Sequence, residues 1–171
     1  MGSVDLRPRV RKASQQQQEI PFAMGKTIPR RAEYRFFLEI PTRWGDQDSF
    51  GHVNNAVYYT YFDTLVAHFL NATGGLDMRN GEVLGVVVET LCRHHAPAFF
   101  PDVLTAGLRV AHVGNSSVRY EIGIFRPGQD TACAEGHFIH VHVDAATQSR
   151  TQAVPPSLRA ALAPLMVPPA A

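Results

Sequence analysis

One long amphipathic segment constrains the fold of this 171-residue chain more than any other feature. Apolar residues recur along it three and four positions apart, which predicts an α-helix with one broad buried face. These residues are Val57, Tyr58, Tyr61, Phe62, Leu65, Val66, Phe69 and Leu70. Gly74 and Gly75 predict its end, because glycine suits the left-handed conformation that closes a helix. A helix with so wide an apolar face needs other elements wrapped around it.

Four segments that follow are rich in β-branched and aromatic residues, which predicts strands. They cover residues 83–92, 103–113, 117–125 and 131–143. Apolar and polar residues alternate in the second and third segments, so these strands should each have one dry and one wet face. Short turn-forming connections at Gly114-Asn115 and 127–130 predict that the last three strands form an antiparallel meander.

A shorter strand and a turn precede the helix. Residues 38–44 predict a strand that ends at Gly45, and 46–51 are rich in small and polar turn formers. Asn54 or its neighbour can cap the helix with a side-chain oxygen. The first backbone N–H groups and the positive end of the helix dipole then form a natural site for an oxygen that carries negative charge.

Composition excludes several classes of function. A formal net charge of +1 argues against a mainly electrostatic binder of nucleic acid or membrane. Cys92 and Cys133 lie inside predicted strands without metal spacing or a disulfide framework, which favours buried free thiols in a reducing compartment. No apolar run reaches the roughly 18 residues that a membrane span needs.

The chain divides into three regions on composition. Residues 1–31 are polar and basic and predict a flexible tail, 32–165 predict one folded domain, and 166–171 predict a loose C-terminal tail. Ser157 is a plausible cap for a short helix over 157–162. We expect a cytoplasmic protein, with mitochondrial import as an alternative because the N-terminal region is basic and poor in acidic residues.

The residues from Trp44 to Tyr59 read WGDQDSFGHVNNAVYY. They closely resemble the D-x-D-x-x-G-H-V-N-N-x-x-Y signature of hotdog-fold acyl-CoA thioesterases, and best the 4-hydroxybenzoyl-CoA thioesterase-like group. The resemblance extends from about residue 35 to 165. It implies an α+β hotdog fold, in which an antiparallel sheet wraps around one long central helix. It also implies hydrolysis of an acyl-CoA to a free carboxylic acid and CoA, and leaves the acyl group open.

The resemblance assigns roles to four residues of this motif. Asp48 corresponds to the carboxylate that activates water or attacks the thioester itself, although an aspartate here can also simply stabilise the turn. The backbone N–H of Asn55 corresponds to the oxyanion donor, and Gly51 lets the substrate approach. His52 is expected to orient the loop or contact the substrate. Apart from these four, we interpret Asp46 as a residue that stabilises the turn.

Candidate substrate contacts lie on the helix and the next strand. Tyr58, Tyr59 and Phe62 could line an acyl tunnel, or could simply pack in the core. Glu89 faces either an interface between subunits or the acyl pocket. For the phosphates of CoA, the resemblance indicates Arg93 and the hairpin residues Asn115, Ser116 and Ser117.

Metal ions and other cofactors are not expected. Five histidines lie on or near predicted strands without a compact ligand signature, and alternation places two of them on one face: His94, His95, His137, and the pair His140 and His142. The family pairs two sheets at their edges, so we expect a homodimer or homotetramer. An acyl-carrier-protein thioesterase and a non-catalytic acyl-CoA-binding hotdog protein are the alternative functions.

Overall fold

The computed structural model describes residues 27–77 and 79–167. Its strands and α-helices follow in the order β1 (Phe36–Pro41), α1 (Val57–Thr73), β2 (Val83–His94), β3 (Val103–Val113), β4 (Ser117–Phe125), β5 (Ala134–Asp144) and α2 (Pro156–Leu162). Short 3₁₀ helices cover Arg31–Glu33, Trp44–Asp46 and Ala163–Leu165.

The five strands form one sheet in the order β1-β3-β4-β5-β2, and every neighbouring pair is antiparallel. The predicted meander of β3, β4 and β5 is confirmed, while β1 and β2 lie at the two edges. A bulge at Val88 interrupts β2, because Val87 pairs with His140 and Glu89 pairs with Ile139.

Helix α1 packs on the inner face of this curled sheet, so the expected α+β hotdog fold is confirmed. The buried face of α1 carries the apolar residues that the periodicity picked out, from Tyr58 to Leu70. Gly74, at φ +61°, closes the helix in the left-handed conformation, as expected. At Gly136 a Cβ would lie 2.5 Å from the Phe62 ring, so glycine allows the helix to approach β5 closely.

The outer face of the sheet is partly covered by the chain that leads into β1. Tyr34 is 3% exposed and lies across Gly107 and Gly123, where a Cβ would come within 3.0 and 2.6 Å of its side chain. Phe125 packs edge-on against Tyr34, and the Arg109 guanidinium lies 5.0 Å from the centre of the Tyr34 ring. These contacts form a second small core on the side away from α1.

Three local predictions differ from the structure. The first strand ends at Pro41, because the next residues wind into the 3₁₀ turn around Asp46. The last strand begins at Ala134. Ser157 does not cap α2; Pro155 occupies the cap position and the Ser157 hydroxyl donates to the Gly75 carbonyl over 2.9 Å.

The predicted tails fall largely outside the described residues, namely 1–26 of the first and 168–171 of the second. The proposed domain limits stay a prediction.

Candidate active site

The loop between β1 and α1 is tied to the segment that precedes β3. Thr42 donates its backbone N–H to the Asp102 carbonyl over 3.0 Å, and its hydroxyl contacts the Phe99 and Asp102 carbonyls at 3.1 and 2.8 Å. Val53 donates to the Ala98 carbonyl over 2.8 Å. The loop therefore lies at the end of the sheet where β3 begins.

Asp46 is the internal anchor of this loop and is only 2% exposed. Its carboxylate accepts hydrogen bonds from the Arg43 backbone N–H (2.7 Å), the Arg43 Nε (2.9 Å) and the Tyr61 hydroxyl (2.8 Å). Burial tends to raise the pKa of this carboxyl group, but the hydrogen bonds from Arg43 and Tyr61 outweigh it and hold the pKa below its ordinary value. These contacts agree with the predicted role of Asp46 as a stabiliser of the turn.

Asp48 uses one carboxylate oxygen for the turn. Its Oδ1 accepts from the backbone N–H groups of Phe50 and His52 at 2.8 and 3.3 Å. The other oxygen, Oδ2, receives no hydrogen bond from any residue that the structure describes. Gly51 sits between these groups at φ +78°, a conformation that favours glycine. Asp48 therefore stabilises the turn with one carboxylate oxygen and leaves the other available to a water molecule or a substrate.

Asn55 follows directly where the chain turns into α1. The Asn54 side-chain oxygen accepts from the Ala56 N–H at 2.9 Å, and its carbonyl accepts from the Val57 N–H at 3.0 Å. Asn54 thus stabilises the turn before the helix, in place of a side-chain cap on the helix itself. Within residues 27–77 and 79–167, the Asn55 N–H finds no backbone acceptor. An unpaired donor at the positive end of a helix suits a negatively charged oxygen.

Aromatic side chains surround the outside of the loop. The exposed His52 ring packs edge-on against Phe99 with centroids 5.4 Å apart, which fits a positioning role. Trp44 and Phe50 are 76% and 83% exposed, and Trp44 also touches Phe100 edge-on. The sequence did not identify these aromatic residues as a rim, because their exposure to solvent depends on how the loop folds.

The three aromatic residues considered for an acyl tunnel have different surroundings. Tyr58 and Phe62 are 2% and 0% exposed and belong to the main core, where Phe62 packs edge-on against Phe138. Tyr59 is half-buried and packs against Phe62. Among these three, Tyr59 is the side chain that retains access from outside.

Glu89 lies on the outer face of the sheet at the β2 edge. Its carboxylate contacts His137 Nε2 at 2.7 Å, and the Arg119 guanidinium contacts His137 Nδ1 at 3.0 Å. Arginine can only donate, so Nδ1 accepts and the Nε2–H of a neutral His137 donates to Glu89. Arg93 is exposed further along the same strand. Glu89 therefore faces away from α1, toward the outer surface and the open edge.

The hairpin between β3 and β4 lies at the opposite end of the sheet from Asp48. It follows the last residue of β3, whereas the Asp48 loop is tied to the segment before the first residue. Ten residue steps along β3 correspond to about 30 Å. Within one chain, Asp48 therefore does not meet the hairpin residues Asn115, Ser116 and Ser117. A single subunit cannot combine these residues in one site.

A groove of about 530 Å³ runs between α1 and β2. Its lining is mostly aliphatic and includes Asp63, Thr64, Val66, Ala67, Leu70, Leu76, Leu84, Gly85, Val86, Val87 and His140. Partial burial raises the pKa of Asp63 above its ordinary value. The sequence pattern assigned neither Asp63 nor His140 to a site, because the two elements that bring them together are separate in the chain.

The described residues contain no group of three His, Cys, Asp or Glu side chains placed to hold a metal ion. Cys92 and Cys133 are free thiols, and burial raises the pKa of each to about 12. Neither thiol is therefore an activated nucleophile at neutral pH. No helix in the described ranges has the length and apolar character to cross a membrane.

Comparison with protein families gives a match over most of the chain. The model of the thioesterase-like superfamily covers residues 42–162, from the loop before Asp46 to the end of α2. The chain belongs to this superfamily. The resemblance drawn from the motif is thereby confirmed. A comparison with curated proteins gives no match.

Several solved structures share the architecture of this chain. The PA5185 protein of Pseudomonas aeruginosa is 49% identical, with a TM-score of 0.79 over 82% of this chain and 97% of that chain. A second P. aeruginosa protein, PA2801, described as a proposed thioesterase, is 32% identical with a TM-score of 0.67 over 73% and 95% of the two chains. A Thermus thermophilus thioesterase in complex with coenzyme A and zinc is 24% identical with a TM-score of 0.64 over 78% and 95%, a likeness of fold alone.

Proposed function

We propose that the protein hydrolyses an acyl-CoA thioester to a carboxylic acid and CoA. One observation carries this proposal: a carboxylate oxygen of Asp48 and the N–H of Asn55 are both left without partners in the described chain, seven positions apart in one loop. Thioester hydrolysis needs one group of each kind, a base or nucleophile and a donor to the developing oxyanion.

The reaction can proceed from these two groups without a metal. Asp48 either takes a proton from the water molecule that attacks the thioester carbon, or attacks that carbon itself to form an anhydride that water then cleaves. In both cases the carbonyl oxygen becomes negative and accepts from the Asn55 N–H. Collapse of the intermediate breaks the C–S bond and releases CoA as a thiolate, which then takes up a proton.

A second copy of the chain would complete the site. The β2 edge is unpaired among the described strands, and it exposes Val87 (45%) and Val88 (58%). If two β2 strands pair in antiparallel fashion, the hairpin end of one sheet lies beside the Asp48 end of the other. Asn115, Ser116 and Ser117 of the partner could then contact CoA at the loop from which they are remote within one chain. A homodimer, or a homotetramer built from it, is the proposed assembly.

Free-thiol release from a panel of acyl-CoAs tests the proposal. Asp48→Asn keeps an oxygen that can accept from Phe50 and His52 but removes the carboxylate, and should lower kcat by about a hundredfold. Asp144→Asn is the matched control, because Asp144 makes the same kind of turn, with its Oδ1 accepting from the Thr147 N–H at 2.8 Å. That variant should keep full activity.

The outcomes separate the alternatives. Equal activity of Asp48→Asn and the native chain would show that Asp48 only stabilises the turn and takes no part in catalysis. Cleavage of acyl-carrier-protein thioesters without cleavage of CoA esters would identify a carrier-protein thioesterase. Binding of CoA esters without release of any thiol would identify a non-catalytic acyl-CoA-binding protein.

A further inference from the structure

A cluster of buried polar side chains lies on the inner face of the sheet beside the groove. His140 and His142 are 7% and 0% exposed, and the buried Tyr120 packs edge-on against His140 with ring centroids 5.0 Å apart. No described residue provides a hydrogen-bond partner for the Nε2 atoms of the two histidines or for the Tyr120 hydroxyl. Buried polar groups without hydrogen-bond partners are rare in proteins, so three of them together are unusual and need an explanation.

Of the two imidazoles, His140 lines the groove, and Gly85 lies beside both rings. Both Gly85 and His140 line the groove. The point that a Cβ at Gly85 would occupy lies 3.2 Å from His140 Nδ1 and 3.5 Å from His142 Nε2. A side chain at this position would fill the space in front of both nitrogens. Glycine leaves His140 Nδ1 facing the groove, whereas His142 Nε2 stays buried behind it.

The hydrogen-bonding state of the pair follows from its contacts. His142 Nδ1 lies 3.1 Å from the Ser116 carbonyl, which can only accept, so Nδ1 carries the proton and Nε2 is an acceptor. Burial lowers the pKa of His142, and burial with the neighbouring His142 lowers the pKa of His140 to about 4. Both rings are therefore neutral at pH 7. The His140 nitrogen that faces the groove, Nδ1, donates or accepts a hydrogen bond according to its tautomer.

An imidazole nitrogen that can donate or accept suits a hydroxyl group better than a charged ligand group. A hydroxyl group both donates and accepts, whereas a carboxylate only accepts and an ammonium only donates. A carboxylate would in addition meet the negative charge of Asp63 in the same groove. The site thus suits a neutral hydroxyl.

The rest of the lining indicates what carries that hydroxyl. Apart from His140 the lining has no aromatic ring, and its apolar part consists of aliphatic side chains such as Leu70, Leu76 and Leu84. The helix side of the groove runs from Asp63 to Leu70, seven residues or about 10 Å along the helix axis. Three extended backbone bonds span about 3.3–3.6 Å, so this length accommodates about nine bonds of an aliphatic chain.

We propose that this groove holds the acyl chain of the substrate and that His140 selects a medium-length aliphatic chain with a hydroxyl group toward its far end. The inference rests on the proposed thioester hydrolysis for its catalytic readout, and on the His140 imidazole for its specificity.

The test compares matched substrates. We would measure kcat/KM for thiol release from octanoyl-, decanoyl- and dodecanoyl-CoA and from their ω-hydroxy counterparts, with 4-hydroxybenzoyl-CoA alongside. For at least one of these chain lengths, the native protein should prefer the hydroxylated chain by about tenfold or more, because the plain chain leaves His140 Nδ1 unpaired. His140→Phe and Gly85→Ala should each bring that ratio to about one. His112→Phe, a histidine exposed on β3, should leave the ratio unchanged.

The outcomes distinguish this inference from the proposed function. Equal use of plain and hydroxylated chains at every length, a stronger preference for the hydroxybenzoyl ester, or a preference that survives in His140→Phe would overturn the specificity while hydrolysis stands. If no CoA ester is cleaved, calorimetry with ω-hydroxydecanoic acid and decanoic acid decides. Selective binding that His140→Phe removes would support the groove even though the hydrolysis proposal had failed; equal binding, or none, would overturn the groove as well.

Discussion

Two buried tyrosine hydroxyls have opposite surroundings, so the same substitution should lower stability at one of them and not at the other. The Tyr61 hydroxyl donates to Asp46 Oδ2 over 2.8 Å, and these residues are 3% and 2% exposed. A hydrogen bond to a charged group contributes about 1.5–3 kcal/mol. Tyr61→Phe should therefore lower the free energy of unfolding by about 2 kcal/mol, in the middle of that range.

Tyr120 is the matched control for this change. It is 0% exposed, and its hydroxyl has no hydrogen-bond partner among the described residues. Removal of an unpaired buried hydroxyl takes away a desolvation penalty and leaves the ring in place. Tyr120→Phe should leave the free energy of unfolding unchanged or raise it by up to about 1 kcal/mol.

Urea denaturation at pH 7 and equal protein concentration would measure both variants, because association changes apparent stability. In thermal unfolding, a loss of about 2 kcal/mol corresponds to a fall in Tm of about 4–8 °C for a chain of this size. Tyr61→Phe should also lower kcat for thiol release, since Asp46 holds the loop that carries Asp48. An equal loss of stability in both variants would refute the reasoning, because it would show that the hydrogen bond from Tyr61 to Asp46 does not stabilise the fold.

Three further changes test other parts of the structure. The pKa of Asp46 is lowered in the folded chain, so the stabilisation from its ionised carboxylate is complete above the ordinary aspartate pKa of about 3.9. This stabilisation is lost as the pH falls through the lowered pKa. The urea midpoint should therefore fall less steeply with decreasing pH in Asp46→Asn than in the native chain. Gly136→Ala should destabilise the fold by about 3 kcal/mol in the same assay, because the new Cβ meets the Phe62 ring and a backbone oxygen. Val88→Lys, at the exposed β2 bulge, should shift the chain toward the monomer in sedimentation and reduce activity with it; an unchanged dimer would exclude this edge as the interface.

Local patterns were sufficient for most of the fold. The three- and four-residue spacing of apolar residues predicted α1, and the structure buries that stripe from Tyr58 to Leu70. The predicted strand over 103–113 matches β3, and that over 117–125 matches β4, since alternation and turn residues act within a few positions of the chain. The first strand was placed too far along the chain, because hydrogen bonds between Asp46 and Arg43 close a 3₁₀ turn there. The Tyr61 hydroxyl, fifteen residues away, also donates to the Asp46 carboxylate.

The candidate site was predictable only in part. The motif drew attention to Asp48 and Asn55, which lie in one short loop and so remain close in any fold. The alternation that placed His140 and His142 on one face is confirmed, since both are buried on the inner face. It could not show that Gly85 lies opposite them, because that contact depends on the register between β2 and β5.

The sequence by itself determined most of the secondary structure, the family and the loop that carries the candidate catalytic groups, because each of these depends mainly on residues that are neighbours in the chain. Only the tertiary structure decided which groups meet across the sheet. It placed Ser116 at the opposite end of the sheet from Asp48, brought Asp63 to the groove that His140 lines, and turned Glu89 outward. These placements depend on strand order and register, which arise from packing the whole sheet around one helix and leave no local trace in the chain.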